Sequence, residues 1–148
     1  MSSSTQITDL IPHRPPFLWV DRIISCDDDT ITTEKLIAED LDVFQGHYPG
    51  NPIMPGVLLC EIIFQSGALL MTKNLQLDVD ELEAVPVLTR IENAKFKRPV
   101  LPGDTAQVKV TLTESISSVS FFRGTLKVKG KTAVQVGFSC ALVPLLQD

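Results

Sequence analysis

The segment from residue 56 to residue 71 limits what this chain can fold into, because it is apolar on almost every side of a helical projection. Large apolar residues occur in nearly every turn: Leu58, Leu59, Ile62, Ile63, Phe64, Leu69 and Leu70. Pro55 suits the first turn of such a helix, where a missing N–H leaves no hydrogen bond unmade. A helix that is apolar all round has to be buried on most of its faces. The rest of the chain must therefore wrap around it.

The rest of the chain is predicted to be mainly β-structure. Runs rich in Val, Ile, Thr and Phe, separated by turn residues, predict six strands: residues 17–25, 30–38, 87–98, 105–114, 119–128 and 132–143. Residues 39–55, rich in proline and glycine, predict a long loop of the kind that is often functional in a small domain. Residues 75–85 predict an acidic surface connector. We predict one α+β domain over residues 1–148, with an antiparallel sheet wrapped around one long helix.

Charge and cysteine content exclude several classes of protein. The net charge is −5, and no run of Lys or Arg is long enough for a nucleic-acid footprint. Three widely spaced cysteines without a CxxC pair argue against a disulfide framework or a zinc ribbon, and two distant histidines supply no metal-ligand cluster. Glu61 and Gln65 interrupt the apolar segment, which disfavours a membrane span. The N-terminus has no secretory signal pattern, so we expect a cytoplasmic protein without metal or cofactor.

Polar residues at the start of the helical segment suggest proton-transfer chemistry. Glu61 lies among apolar residues, and because desolvation favours a neutral carboxyl its pKa should be raised, as a general acid near neutral pH requires. Gln65, at i+4, shares the same helix face. His47, in the loop before the helix, is the residue type best suited to accept a proton at physiological pH.

The predicted helix start adds a site for negative charge. The N–H groups of Gly56 and Val57 have no partner within the helix, and they favour an anionic oxygen. A base, an acid and an oxyanion site can therefore converge within one segment. Two structural interpretations stay open on spacing alone: His47 as a hydrogen-bonding loop residue, and Glu61 as the partner of a buried Arg or Lys.

The same segment resembles the signature of the FabZ-type β-hydroxyacyl-acyl carrier protein dehydratases. In that family G-H-F-P-G-x-P-x-x-P-G-V is followed by a glutamate and, four residues later, a glutamine. Tyr48 stands here in place of the phenylalanine, and the matching positions are Gly46, His47, Pro49, Gly50, Pro52, Pro55, Gly56, Val57, Glu61 and Gln65. Further blocks match within residues 10–22 and 94–104. The resemblance therefore spans most of the chain in the family's order.

The resemblance implies a fold, an assembly and a reaction. The fold is a hot-dog fold, in which a curved antiparallel sheet of six strands wraps around one long central helix. The assembly is a homodimer, further grouped as a trimer of dimers (a hexamer), and each active site takes its histidine from one subunit and its glutamate from the other. The reaction is the reversible dehydration of (3R)-3-hydroxyacyl-acyl carrier protein to the trans-2-enoyl form in fatty-acid biosynthesis, which makes the chain a hydro-lyase.

Residue roles are carried over by position. His47 would remove the α-proton of the hydroxyacyl thioester, and protonated Glu61 would donate to the departing hydroxyl. The N–H of Gly56, with that of Val57, would polarise the thioester carbonyl. Gln65 would orient Glu61, and the acyl chain would occupy an apolar tunnel.

The implied partner is acyl carrier protein, a small acidic protein that delivers the acyl chain on its phosphopantetheine arm. Lys95 and Lys97 alternate along a predicted strand and should face the same way, with Arg98 adjacent. A basic rim of this kind can steer an acidic carrier. The alternative is that these residues are ordinary solvated charges.

One region departs from the family pattern. The family shows a run like Y-F-A-G-I-D where this chain has residues 87–92, and Arg90 stands at the glycine position. The absence of the family's tyrosine removes a side chain that could gate the tunnel. The long cationic side chain of Arg90 adds bulk and charge in the same region. We expect Tyr48, Leu88 and Arg90 to lie at the tunnel and to influence acyl-chain specificity.

Other functions stay open for the same fold. A hot-dog thioesterase needs a carboxylate placed to activate water, and an enoyl-CoA hydratase would use a different carrier. A non-catalytic acyl-thioester-binding subunit of a synthase assembly would be expected to lose one residue of the catalytic pair. This chain keeps both His47 and Glu61.

Overall fold

The computed structural model describes residues 6–75 and 84–144. Within these residues the chain forms two α-helices, one 3-10 helix at Asp42–Gln45 and six strands. The helices are α1 (Ile7–Leu10) and α2 (Gly56–Leu75). The strands are β1 (Arg22–Cys26), β2 (Thr30–Leu36), β3 (Ala84–Phe96), β4 (Thr105–Ile116), β5 (Val119–Val128) and β6 (Lys131–Pro144).

Helix α2 is the centre of the hydrophobic core. It begins at Gly56, directly after Pro55, as predicted. The side chains of Ile62, Ile63, Leu69 and Leu70 are fully buried. By length and composition alone this helix is apolar enough to cross a membrane, but 72% of its most apolar window is buried inside the protein. Its apolar character is therefore that of a core helix.

The six strands form one antiparallel sheet in the order β1-β2-β4-β5-β6-β3. Helix α2 contacts strands β2 to β6. Alternate residues of β4, Ala106, Val108 and Val110, are buried against the core, as the two-residue period of a half-buried strand requires. The prediction of a hot-dog fold is confirmed, with β1 and β3 at the two edges of the sheet.

Several element boundaries differ from the predicted ones. The strand predicted for residues 17–25 begins only at Arg22, because the backbone groups of Phe17 and Trp19 pair with the side chain of Gln65 instead of a strand. The strand predicted for residues 87–98 ends at Phe96. Helix α2 continues to Leu75, and a 3-10 turn lies within the predicted loop. The acidic connector predicted for residues 75–85 lies mostly outside the described residues.

Close packing of α2 on the sheet depends on Gly124 of β5. A Cβ added at Gly124 would lie 2.2 Å from Cγ2 of Ile63. We expect Gly124→Ala to lower the free energy of unfolding by about 1–3 kcal/mol through overpacking, as measured by urea denaturation. Gly46→Ala is the control, because a Cβ there meets nothing within 4 Å. An equal loss in both variants would show that contact with Ile63 is not the cause.

Candidate active site

His47 lies in the loop between the 3-10 turn and α2, where the backbone of Ile53 holds its imidazole ring. The Nδ1 atom is 2.8 Å from the carbonyl oxygen of Ile53, and the amide of Ile53 donates to the carbonyl oxygen of His47 at 3.0 Å. A carbonyl oxygen only accepts hydrogen bonds, so Nδ1 carries the proton. In the neutral imidazole the lone pair then lies on Nε2, where a general base can use it.

The start of α2 presents two backbone amides. The amide of Leu58 donates to the carbonyl oxygen of Pro55 at 3.0 Å. The amides of Gly56 and Val57 precede it, and within the part of the chain that the structure describes no backbone acceptor meets them. The ring of Phe96 packs over Gly56, since an added Cβ would lie 2.8 Å from its Cε1. The oxyanion role of the two amides stays a prediction that this geometry permits.

Glu61 lies on α2, half-buried, beside Gln65. The Nε2 atom of Gln65 donates to Oε2 of Glu61 at 3.1 Å. Gln65 itself is only 1% exposed, so its amide is a fixed part of the core. The predicted placement of both side chains on one helix face is confirmed.

No opposite charge holds Glu61 within residues 6–75 and 84–144. The ion pairs of this part of the chain join other residues: Arg22 with Glu34, Lys35 with Asp21, and Arg90 with Glu92. Nor does this part contain a group of three His, Cys, Asp or Glu side chains that could hold a metal ion. The interpretation of Glu61 as the partner of a buried cation therefore has no support among the described residues.

The surroundings of Glu61 favour its neutral form. Burial raises the pKa of Glu61, and the hydrogen bond from Gln65 opposes part of that rise. This is the direction predicted from the sequence. Burial, with the charge of Glu61 as a smaller cause, also raises the pKa of the Cys60 thiol and raises that of Cys140 to about 12. Both thiols stay protonated at neutral pH, so neither places a charge beside the carboxyl.

The structure does not join His47 to Glu61. Among the described residues, no hydrogen bond links the imidazole to the carboxyl. Strand β3 forms an edge of the sheet, and its side chains include exposed Leu88, Ile91 and Phe96, the last 54% exposed. An apolar sheet edge of this kind is normally covered in a native assembly.

The residues predicted to meet the carrier are all exposed. Lys95 lies near the end of β3. Lys97 and Arg98 follow the strand rather than belonging to it, although the amide of Lys97 still donates to the carbonyl oxygen of Ala133 at 2.7 Å. Their role in docking stays a prediction.

The residues predicted to influence specificity lie at the surface of the described chain. The ring of Tyr48 stacks on that of His47, with 4.3 Å between centroids. Leu88 is exposed on β3, and a β-bulge separates it from Arg90. The guanidinium of Arg90 lies 3.1 Å from the carboxylate of Glu92. Their contact with an acyl chain stays a prediction.

Two supports of the site were not predicted from the sequence. Ile53 holds His47 through its backbone, and Phe17 and Trp19 hold Gln65 through theirs. Main-chain groups are supplied by nearly every residue type, so no sequence signal marks them. The prolines near both segments are the only hint that the chain leaves regular pairing there.

The raised pKa of Glu61 predicts that its ionisation reduces stability. A carboxyl whose pKa is higher in the folded than in the unfolded state stabilises the fold below its unfolded value, and this contribution is lost as pH rises through the folded value. Glutamine is neutral at every pH and still accepts from Gln65. We expect Glu61→Gln to raise Tm more at pH 8 than at pH 5 in calorimetry, at about 2–4 °C for each kcal/mol recovered. A gain that does not change with pH would contradict this.

Comparison with known proteins identifies the family. A family model described as a FabA-like domain matches residues 11–137. The 3-hydroxyacyl-[acyl-carrier-protein] dehydratase FabZ of Caulobacter sp. (strain K31) is 39% identical over 139 residues, which cover 93% of this chain and 84% of that protein. The FabZ of Anaeromyxobacter sp. (strain Fw109-5) is 36% identical over 143 residues, which cover 96% and 90%.

Solved structures agree on the fold. The dehydratase heterocomplex ApeI:P from Xenorhabdus doucetiae superposes with a TM-score of 0.79 at 13% identity, over 95% of this chain and 92% of that chain. A hypothetical thioesterase with coenzyme A from Streptococcus pneumoniae gives a TM-score of 0.61 at 12% identity, over 85% and 88%. These similarities show the fold alone. Because the family model and the curated relatives both cover most of its length, the chain belongs to the FabA-like family, with FabZ dehydratases among its relatives.

Proposed function

We propose that this chain catalyses the reversible dehydration of (3R)-3-hydroxyacyl-acyl carrier protein to trans-2-enoyl-acyl carrier protein in fatty-acid biosynthesis. The observation that carries the proposal is the pair of environments that the fold gives to His47 and Glu61. The backbone of Ile53 leaves Nε2 of His47 as a base, and burial favours the proton-carrying form of Glu61. Loss of water from a β-hydroxy thioester needs both, a base at the α-carbon and an acid at the β-hydroxyl.

The chemical step follows from these roles. Nε2 of His47 removes a proton from the α-carbon, and the electron pair of that bond forms the Cα–Cβ double bond by way of an enolate. The amides of Gly56 and Val57 stabilise the negative charge on the thioester oxygen. The Cβ–O bond breaks as Glu61 gives its proton to the hydroxyl, which leaves as water. Transfer of a proton from the imidazolium to the carboxylate then restores the enzyme.

Two subunits are needed for this site in our proposal. Support comes from the absence of a hydrogen bond between His47 and Glu61 among the described residues of one chain. The exposed apolar edge that contains Leu88, Ile91 and Phe96 also supports it. Pairing of two β3 edges would cover these side chains and place one subunit's His47 beside the other's Glu61. We further propose that the dimers form a trimer of dimers and that the protein is cytoplasmic. Light scattering of the purified protein measures the molar mass of the assembly.

Chain-length preference is the open part of the substrate. We propose that Tyr48, Leu88 and Arg90 lie along the path of the acyl chain. The direct experiment is incubation with hydroxyacyl-carrier substrates from C4 to C16, with mass spectrometry of the products. Loss of water supports the proposal. Release of the free carrier thiol would indicate a thioesterase, and binding without turnover would indicate a non-catalytic subunit. In a parallel incubation with enoyl-CoA, turnover of that substrate alone would indicate a hydratase.

Carrier docking is expected to depend on Lys95, Lys97 and Arg98. Reversing all three charges (Lys95→Glu, Lys97→Glu and Arg98→Glu) should raise KM for an acyl-carrier substrate by about tenfold and leave kcat within about twofold, because rim charges act mainly on encounter. KM for the same acyl group on pantetheine should not change. Steady-state kinetics at low and high salt measures both.

A matched charge reversal provides the control. Lys127, Lys129 and Lys131 are equally exposed, at the hairpin between β5 and β6. Changing these three to glutamate alters the net charge by the same amount. An equal rise in KM from this second triple variant would mean that overall charge, and not the predicted rim, steers the carrier.

A further inference from the structure

The ring of Phe96 packs directly on Gly56 at the start of α2. A Cβ built on Gly56 would lie 2.8 Å from Cε1 of the ring, 3.1 Å from Cδ1 and 3.4 Å from Cζ. These three ring carbons are the heavy atoms nearest to that position. The ring therefore takes the space that a side chain at residue 56 would need, so glycine is required by this close approach.

Backbone hydrogen bonds hold both sides of the contact. Phe96 is paired with strand β6, and the following amide, that of Lys97, donates to the carbonyl oxygen of Ala133 at 2.7 Å. On the helix side, the amide of Met54 donates to the carbonyl oxygen of Val100 at 2.8 Å. The segment that enters α2 is thus tied to the segment that leaves β3. Moving the ring away from the helix start would break one of these bonds.

The contact lies at the two amides to which the oxyanion role is given. The amides of Leu58 and Leu59 donate to the carbonyl oxygen of Pro55 at 3.0 and 3.1 Å, and the amides of Gly56 and Val57 precede these bonds. Oxyanion stabilisation depends on donors that are already in place before the reaction. Glycine, however, leaves the backbone more conformational freedom than any other residue. Packing against Gly56 is what can restrict that freedom.

We propose that Phe96 is a positioning residue for the thioester-carbonyl site. By packing on Gly56, its ring fixes the direction in which the amides of Gly56 and Val57 point. The ring acts through the glycine and not on the reacting atoms. This inference rests on the proposed function, since it assumes that these amides polarise the thioester carbonyl. Phe96 also belongs to the exposed apolar edge of β3, so the experiment has to separate this role from dimer formation.

Phe96→Val tests the proposal, because valine lacks the ring carbons that meet Gly56 and still favours a strand. With the amides less well held, kcat for dehydration should fall by about tenfold while KM for an acyl-pantetheine substrate stays within about twofold. Steady-state kinetics is run at a protein concentration at which light scattering gives the dimer mass. The matched control is Phe121→Val, the same change at a half-buried phenylalanine of β5, which should leave kcat unchanged.

Gly56→Ala tests the contact from the helix side. Alanine keeps the amide, but its Cβ would displace the ring, so kcat should fall by about 10- to 100-fold. In the double variant Gly56→Ala/Phe96→Val the Cβ has room and itself restricts the backbone of the first turn. Because residues in contact are coupled, the double variant should lose about tenfold in kcat instead of the product of the two single losses. Single losses that multiply would show that the ring and the glycine act independently, and would overturn the inference.

A loss of dimers cannot imitate this result. Both variants that have valine at residue 96 lose the same part of the β3 edge, so a weakened interface would lower the activity of both and would not offset the effect of Gly56→Ala. A purely structural role for the ring would lower Tm in calorimetry and leave kcat of the folded dimer unchanged.

The outcomes separate this inference from the proposed function. If Glu61→Gln retains dehydration, the proposed function fails, whatever Phe96 does. If Glu61→Gln is inactive while dimeric Phe96→Val keeps the wild-type kcat, the positioning role is overturned and the proposed function stands. Phe96→Val needs no change at Gly56, so this comparison decides the question even if Gly56→Ala does not fold.

Discussion

Replacing His47 with alanine is expected to lower kcat for dehydration by about 10²- to 10⁴-fold, the usual contribution of a positioned general base. The Nδ1–H of His47 is bound to the carbonyl oxygen of Ile53, which leaves Nε2 as the proton acceptor, and alanine offers no replacement. KM should change little, because the imidazole acts on one proton rather than on substrate binding. The enoyl thioester, followed by absorbance under saturating substrate, provides the measurement.

Chemical rescue distinguishes a base from a structural loop residue. Imidazole added to the solution should restore part of the activity of His47→Ala and none of the activity of Glu61→Gln. The second histidine provides a matched control: His13 lies in the N-terminal loop, and His13→Gln should retain kcat if it folds. Wild-type kcat in His47→Ala would show that the histidine only supports the loop.

The parts of the fold that were predicted correctly are those that depend on local pattern. Helix α2 was expected because apolar residues lie on almost every side of its helical projection, and it begins at Gly56 as predicted because the preceding proline favours a helix start there. Strand β5 has the predicted bounds, Val119–Val128. It is followed by a tight turn at Lys129 and Gly130, both with positive φ, which is the conformation that such hairpin turns require.

The parts that were not predicted depend on contacts between distant segments. Residues 17–20 are apolar and strand-like, but Trp19 lies 46 positions from Gln65 in sequence and gives its amide to that side chain. Nothing within the segment itself signals this partner. The raised pKa of Glu61 was predictable, because a carboxyl among apolar neighbours loses hydration wherever those neighbours come from.

The prediction that the active site is divided between subunits came from the family resemblance and not from spacing. His47 and Glu61 lie close together in sequence. That spacing is compatible with a site within one chain. The structure adds that one chain does not join them through a hydrogen bond among its described residues, and that β3 leaves an apolar edge open. A functional experiment on mixed dimers can decide between the two arrangements.

Mixing two inactive variants is expected to restore activity. In a dimer of one His47→Ala subunit and one Glu61→Gln subunit, a shared arrangement gives one site with both changes and one site with neither. Random exchange of equal amounts makes about half of the dimers mixed, because the interface of a two-fold dimer is the same on every copy. Each mixed dimer has one intact site out of two, and the unmixed dimers have none. Activity per subunit should therefore rise to about 25% of wild type. Co-expression, or refolding of the two variants together, followed by steady-state kinetics measures it.

The reciprocal mixture is expected to lose activity. Wild type mixed with the double variant His47→Ala/Glu61→Gln forms mixed dimers in which neither shared site is intact. Activity should fall to about 25% of an equal total amount of wild type, whereas sites contained within single chains would retain about 50%. Sites within single chains would also leave the first mixture inactive. Recovery in the first mixture together with loss in the second therefore requires that His47 and Glu61 act across the subunit boundary.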